Sequence, residues 1–329
     1  MNFVIVGTNF ISDTFLEAAN TLSDFHLYGV CSRQRETGQS FLAKHNCEHA
    51  KVFTSVEQVC ADPNVQCVYI ASPNSFHEHQ AVMCLSSGKH VLGEKPSAAN
   101  SRQLENIIKA SESNNCLYME ALMTTHLPNF RRIEEAIVKI GKVRKYIGQF
   151  SQYSSRYDKH KRGEKVNTFL PDYANGALVD IGIYPLYTAV ALFGKPESVL
   201  ASGLMLDSGV DGAGDLILHY PDKQAVISYS KINNGDNISE IQGELGRIQI
   251  SGPSLLEQVD LYLNDGTHER LSEQCNDHFM AHEVEHFIAL VAAGKTQSPI
   301  NTFELSRQVI AILDDARAQI GVIYPSDSE

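Results

Sequence analysis

The chain opens on a short, wholly apolar run, FVIV over residues 3–6, that stops at Gly7. An unbroken apolar run of this kind is what a strand buried on both faces requires, and such strands belong to parallel sheets. Ile11, Phe15, Ala18, Ala19 and Leu22 then recur at helical spacing. Residues 25–31 (FHLYGVC) are again apolar, and residues 36–45 return to helical spacing around Phe41 and Leu42. The alternation continues with a strand at 67–71, a helix near 75–87, a strand at 90–92, a helix near 98–113 and a strand at 116–120. Repeated βαβ units predict an open parallel sheet covered by helices on both faces. Residues 1–122 therefore read as an α/β domain of the doubly wound, Rossmann type.

Beyond residue 122 the period changes. A helix near 129–140 precedes a long β-prone stretch at 143–157, followed by alternating strands near 199–206, 214–220, 225–231, 237–243, 247–251 and 257–263. Turn signals such as PDK and NNG separate them. Consecutive strands with short turns predict a large, mostly antiparallel open sheet, so residues 123–329 read as an α+β domain for substrate binding and oligomerisation. Two helices close the chain, near 278–293 and 303–320, placed to pack back on the first domain. No internal repeat and no low-complexity linker interrupts this pattern.

Composition narrows the class. With 43% hydrophobic and 20% charged residues, the 329-residue chain has the make-up of an ordinary globular protein. At roughly 150 residues per domain it is long enough for two. A net charge of -12 opposes binding to nucleic acid or to an anionic membrane over most of the surface. The seven cysteines (31, 47, 60, 67, 84, 116 and 275) form no CxxC pair and several lie inside apolar runs, as expected of reduced, mostly buried thiols. FVIVG is too short for a signal-peptide core, and no run approaches the ~20 apolar residues of a membrane span, so a cytoplasmic location is expected.

Candidate chemistry begins after the first strand. The turn Gly7-Thr8-Asn9-Phe10-Ile11-Ser12 stands where a dinucleotide-binding loop would read GxGxxG, and only the first glycine is present. Asn9 is the best non-glycine residue where positive φ is needed, and Ser12 is small enough for close helix–strand packing, so phosphate can still be cradled on helix N–H groups. At the end of the second strand, where an acidic residue would bind the ribose 2′-OH of NAD, the chain reads Cys31-Ser32-Arg33. A hydroxyl and a guanidinium suit a 2′-phosphate, which favours NADP over NAD.

Two later motifs are more specific. Residues 67–96 read CVYIASPNSFHEHQAVMCLSSGKHVLGEKP and residues 176–186 read GALVDIGIYPL. With Glu94-Lys95-Pro96 and Asp180-x-Gly182-x-Tyr184 in this order, the sequence resembles the Gfo/Idh/MocA oxidoreductase family over nearly its whole length. The resemblance points to the branch of dimeric dihydrodiol dehydrogenases, NADP-dependent xylose dehydrogenases and glucose-fructose oxidoreductase. It implies that Ala71-Ser72-Pro73-Asn74 lies along the cofactor with His77 and Glu94 nearby, and that Lys95 sits near the nicotinamide ribose and the substrate. Asp180 is then a substrate-orienting carboxylate and Tyr184 the proton-transferring residue. The implied activity is NAD(P)-dependent hydride transfer on a sugar, polyol or vicinal diol. An exposed face of the second-domain sheet would be an apolar liability, so association through it into a homodimer or homotetramer is expected.

The chemistry is coherent by itself. Reducing a carbonyl needs hydride on carbon and a proton on oxygen, and a Tyr hydroxyl assisted by a cation such as Lys95 can supply the proton or accept it in reverse. A separation of four places Asp180 and Tyr184 on one helical face, although Pro185 disfavours α geometry at Tyr184. The sequence departs from the branch at residues 174–177, Ala-Asn-Gly-Ala where a glycine run is usual, and at Thr125, where an Arg is common; Arg156 and Asn167 are candidate replacements for substrate contacts. His282-Glu283-Val284-Glu285-His286 matches the zinc signature HExxH, but Met280, Val284, Phe287 and Val291 form the apolar stripe and turn both histidines outward, so no metal is expected. The competing reading is a non-catalytic dinucleotide-sensing regulator of the same fold, motivated by the degraded loop; a metal-dependent hydrolase ranks below it.

Overall fold

The computed structural model describes residues 1–273 and 278–328. The protein has two compact units: one of Met1–Leu122 with residues 278–306, the other of residues 123–273 with 307–328.

In the first unit, β1 (Asn2–Val6), α1 (Phe10–Ala19), β2 (His26–Cys31), α2 (Arg35–Lys44), β3 (Lys51–Phe53), α3 (Val56–Ala61), β4 (Cys67–Ile70), α4 (His77–Ser86), β5 (His90–Glu94), α5 (Ser101–Asn114) and β6 (Tyr118–Ala121) follow one another. All neighbouring strands pair in parallel, in the order β3-β2-β1-β4-β5-β6. The apolar runs form the strands as expected: every residue of β4 and four of the five in β1 are buried. The Phe15 ring of α1 stacks on Tyr69 of β4 at 3.7 Å. Strand order reverses between β1 and β4, and the loops leaving their carboxyl ends flank the crevice in which such sheets bind ligands. The elements β3 and α3 have no counterpart in the sequence reading; a three-residue strand at the sheet edge is too short for any period to register.

The second unit contains α6 (Pro128–Ala136), β7 (Val143–Ser151), α7 (Tyr157–Lys161), α8 (Ile183–Phe193) and strands β8 (Ser198–Met205), β9 (Asp211–His219), β10 (Gln224–Ser230), β11 (Ile238–Gly243), β12 (Gly246–Ser251), β13 (Gln258–Leu263) and β14 (His268–Arg270). Their order is β14-β13-β12-β11-β7-β10-β9-β8, antiparallel except for the parallel pair β7 and β10. The β-prone stretch expected over 143–157 ends at Ser151 and gives way to the short helix α7. Two helices follow in sequence: α9 (Ala281–Ala292), which belongs to the first unit and brings Phe287 to 5.9 Å from Phe3, and α10 (Phe303–Ile320).

One helical segment, Pro171–Phe193, is long and apolar enough to cross a membrane by length and composition, which corrects the expectation that no run comes near that size. Asp172, Asn175 and Asp180 break its run of apolar residues, yet its average stays high. Its most apolar 18-residue stretch is 72% buried inside the fold, so it serves as a core helix carrying the second motif. The six described cysteines are unbridged, five of them buried; Cys275 lies outside the described residues.

Candidate active site

In the first unit the loop after β1 is built around Gly7 and Asn9. Gly7 has φ +107, and a Cβ there would come 2.8 Å from the carbonyl oxygen of Ala71, so neither the backbone angle nor the space admits a side chain. Asn9 does not take the positive φ expected of it: at φ -88 and ψ 179 it is extended and caps α1. Its Oδ1 accepts from the amides of Ile11 and Ser12 at 3.0 and 3.3 Å, while its Nδ2 donates to Ala71 O at 2.7 Å. The residue that replaces the motif's second glycine thus anchors the helix and ties the β1 loop to the β4 loop. Ser12 is fully buried, as close packing demands. Thr8 is half-exposed, Ile11 likewise, and Phe10 is 74% exposed. Ser32 is half-exposed at the end of β2, its amide bonded to Phe53 O, and Arg33 beside it is exposed.

Lys95 follows β5 and is half-exposed among buried neighbours. Its loop is fixed from three directions. His77, only 2% exposed, places Nδ1 2.8 Å from Pro96 O and Nε2 2.9 Å from Ser72 O, bridging the loops after β4 and β5. Two carbonyl acceptors call for a proton on each ring nitrogen, whereas burial, aided by Lys95, lowers the imidazole's proton affinity. Glu94 accepts from the Tyr69 hydroxyl at 2.6 Å and from the Lys95 amide at 3.3 Å, with burial raising its carboxyl above the usual range. Glu120, also buried, accepts from the Ser97 amide at 2.9 Å and from Ser306 Oγ at 2.7 Å. Ser72 donates to Gln80 at 2.7 Å, and Pro73 and Asn74 lead into the turn before α4. Tyr69, Glu120 and Ser306 were not among the candidates; no local pattern marks them.

In the second unit a π turn, Leu178–Gly182, runs directly into α8. π turns are rare and concentrate at functional sites. Pro185, which has no backbone N–H to donate, lies in α8 three residues after that π turn. From Gly176 to Val190 every residue is buried except Asp180 and Tyr184, which are half-exposed. A helix otherwise enclosed therefore opens at two residues four apart, a carboxylate and a phenol. The Tyr184 ring lies 5.8 Å from that of Phe150. Asp180 pairs with Lys231, a residue absent from the sequence candidates. Asp211, 1% exposed, caps the segment from β9: its Oδ2 accepts from the Leu178 amide at 2.7 Å. Gly176, at φ +156, makes room for it, since a Cβ there would collide with Asp211 Oδ1. Arg156 and Asn167 are exposed; Arg156 donates to Thr168 Oγ1 at 2.9 Å.

The HExxH segment differs from expectation in two respects. Glu283 joins the buried stripe with Val284 and Phe287, and His286, rather than pointing to solvent, is half-buried with Nε2 3.1 Å from Ser298 Oγ. Among the described residues no three His, Cys, Asp or Glu side chains are placed to hold a metal ion.

The first-unit loops fit a dinucleotide. Gly7 supplies the tight turn, the loop leads into the N-terminus of α1, where the Asn9 side chain engages the Ile11 and Ser12 amides, and Ser32 and Arg33 follow β2. Comparisons agree. Residues 1–122 match the profile of the oxidoreductase family with an NAD-binding Rossmann fold, and residues 130–249 match the GFO/IDH/MocA C-terminal domain. The chain is 43% identical to the scyllo-inositol 2-dehydrogenase (NADP(+)) IolU of Bacillus subtilis over 99% of each protein. It is 31% identical to the trans-1,2-dihydrobenzene-1,2-diol dehydrogenase of Xenopus laevis over 98% of each. Among solved structures, KijD10, a 3-ketoreductase from Actinomadura kijaniata in complex with NADP and TDP-benzene, superposes with a TM-score of 0.86 at 21% identity, covering 98% of this chain and 99% of that one. On its sequence motifs, its two folds and these matches, the chain belongs to the GFO/IDH/MocA family of oxidoreductases.

Proposed function

We propose that the protein is an NADP-preferring dehydrogenase of polyols, sugars or related vicinal diols in which Tyr184 moves the proton. The observation that carries this reading is the pair of openings at Asp180 and Tyr184 in an otherwise buried helical run. Oxidising a secondary alcohol takes hydride from carbon and a proton from oxygen. When bound, NADP(+) supplies the hydride acceptor. Tyr184 Oη takes the hydroxyl proton as the carbonyl forms and returns it in the reverse direction, with Lys95 as the cation favouring the phenolate. Asp180 accepts a hydrogen bond from a substrate hydroxyl and so orients the ring; Arg156 and Asn167 contribute further polar contacts. Gly7 through Ile11, the Ala71–Asn74 loop and Glu94 hold the dinucleotide, and Ser32 and Arg33 recognise its 2′-phosphate. Residues 1–122 act as the cofactor domain, and residues 123–329, apart from the 278–306 segment that belongs to the first unit, as the substrate and oligomerisation domain.

Likeness to a scyllo-inositol dehydrogenase makes scyllo-inositol the first probe. Tyr184→Phe is expected to lower turnover by ~10²–10⁴-fold while NADPH binding is retained. Unchanged turnover overturns the mechanism, and NADPH binding without turnover across a polyol panel returns the chain to a dinucleotide-sensing role. We further propose a cytoplasmic homodimer or homotetramer assembled through the second-unit sheet. The support is Leu200 and Leu204, 64% and 58% exposed on the edge strand β8.

A further inference from the structure

We propose that Lys231 is the positioning residue for Asp180: it holds this carboxylate fixed in direction so that it can receive a substrate hydroxyl. The inference rests on the reading of Asp180 as a substrate-orienting group. Lys231 immediately follows β10, and its backbone is tied on both sides, the amide donating to Gly212 O and the carbonyl accepting from the Ser154 amide, each at 2.9 Å. Its ammonium pairs with Asp180 Oδ2 and lies 5.7 Å from the centre of the Phe169 ring.

The two partners differ in exposure: the Lys231 side chain is 8% exposed and that of Asp180 is 32%. A carboxylate open to that extent can be hydrated by water and does not need a buried cation to exist. A lysine at 8% exposure, by contrast, loses most of its hydration and remains charged only where a partner compensates it. The cation is therefore held at a desolvation cost beneath an acid that could manage without it. Fixing the acid is the benefit that matches this cost. With one oxygen engaged from below by an ammonium whose stem is packed and whose backbone is pinned, the carboxylate loses its freedom to rotate and stays an acceptor. A hydroxyl-bearing ring placed against it is then aligned for transfer at the neighbouring carbon, and alignment of this kind is worth large factors in rate. Asp180 sits in the π turn and Lys231 on the sheet, so the contact also fastens the reactive helix to β10.

The test is a double-mutant cycle on the full chain with NADP(+), using scyllo-inositol or the fastest polyol of the panel as probe. Lys231→Met keeps the packed stem and removes the charge. It is expected to lower kcat/KM by about 10²-fold, chiefly through kcat, with NADPH affinity within about twofold of wild type. Lys231→Arg restores activity to within about tenfold, since a second cation can engage the same oxygen. In an Asp180→Asn background, Lys231→Met adds less than about threefold, because the group it acts through is gone. Equal factors in both backgrounds, or full activity of Lys231→Met, overturn the inference. A thermal melt of the Lys231→Met variant separates a folding defect from a positioning effect. An active Tyr184→Phe variant sinks the catalytic reading itself; an inactive one with an additive cycle removes Lys231 alone.

Discussion

Asp211 gives the sharpest quantitative expectation. It is buried behind the π turn, its Oδ2 receiving the Leu178 amide at 2.7 Å, and burial pushes its carboxyl from 3.8 up to about 6 despite that hydrogen bond. A folded-state value above the unfolded one means that the folded protein binds the extra proton between those two pH values. Stability from this group is therefore complete below the unfolded value and is lost as pH rises through about 6. A rise of about two units corresponds to about 3 kcal/mol at 1.36 kcal/mol per unit. Asp211→Asn preserves the shape and an acceptor for Leu178 but cannot ionise. Denaturant unfolding of both proteins across pH 4 to 7, in steps of about half a unit, should show the wild type losing about 3 kcal/mol relative to the variant as pH rises, with parallel curves above the window. Curves parallel throughout would mean that the carboxyl is not desolvated as its position requires, and would refute the argument. Because Asp211 caps the segment bearing Asp180 and Tyr184, Asp211→Ala also strands a buried N–H, which costs about 1–3 kcal/mol and should reduce kcat.

Two further outcomes concern the cofactor loops. Asn9→Ala removes the cap on α1 and the bond to Ala71, so it should destabilise the first unit by about 1 kcal/mol in thermal melts and weaken NADPH binding in titrations. An unchanged melt and affinity would show that the loop is held by other contacts. Arg33→Ala should raise the NADPH dissociation constant by about 10–100-fold and leave that for NADH unaltered, the loss of one charge-assisted bond; equal effects on both cofactors would remove the 2′-phosphate assignment.

Much of this molecule was legible in its sequence. The runs at 3–6 and 67–70 are buried parallel strands, and the helix over 303–320 and the strands from 198 to 263 lie close to where the periods put them. These features are local: hydrophobic spacing reports which side of an element meets the core, and a motif reports the residue types a chemistry needs. Short edge elements such as β3 and β14 escape that signal. At Asn9 the residue's propensity for positive φ does not reveal that its side chain instead caps a helix and bonds a loop 62 residues away. Glu120 meets Ser306 across 186 residues, Asp211 meets Leu178 across 33, and Lys231 meets Asp180 across 51. No period links such positions. Buried polar groups must find partners wherever the fold brings them, so the sequence determined the elements and the reactive residue types. Only the tertiary structure decided which buried acids, amides and cations hold Lys95, Asp180 and Tyr184 in place, because that pairing is set by desolvation inside the assembled core.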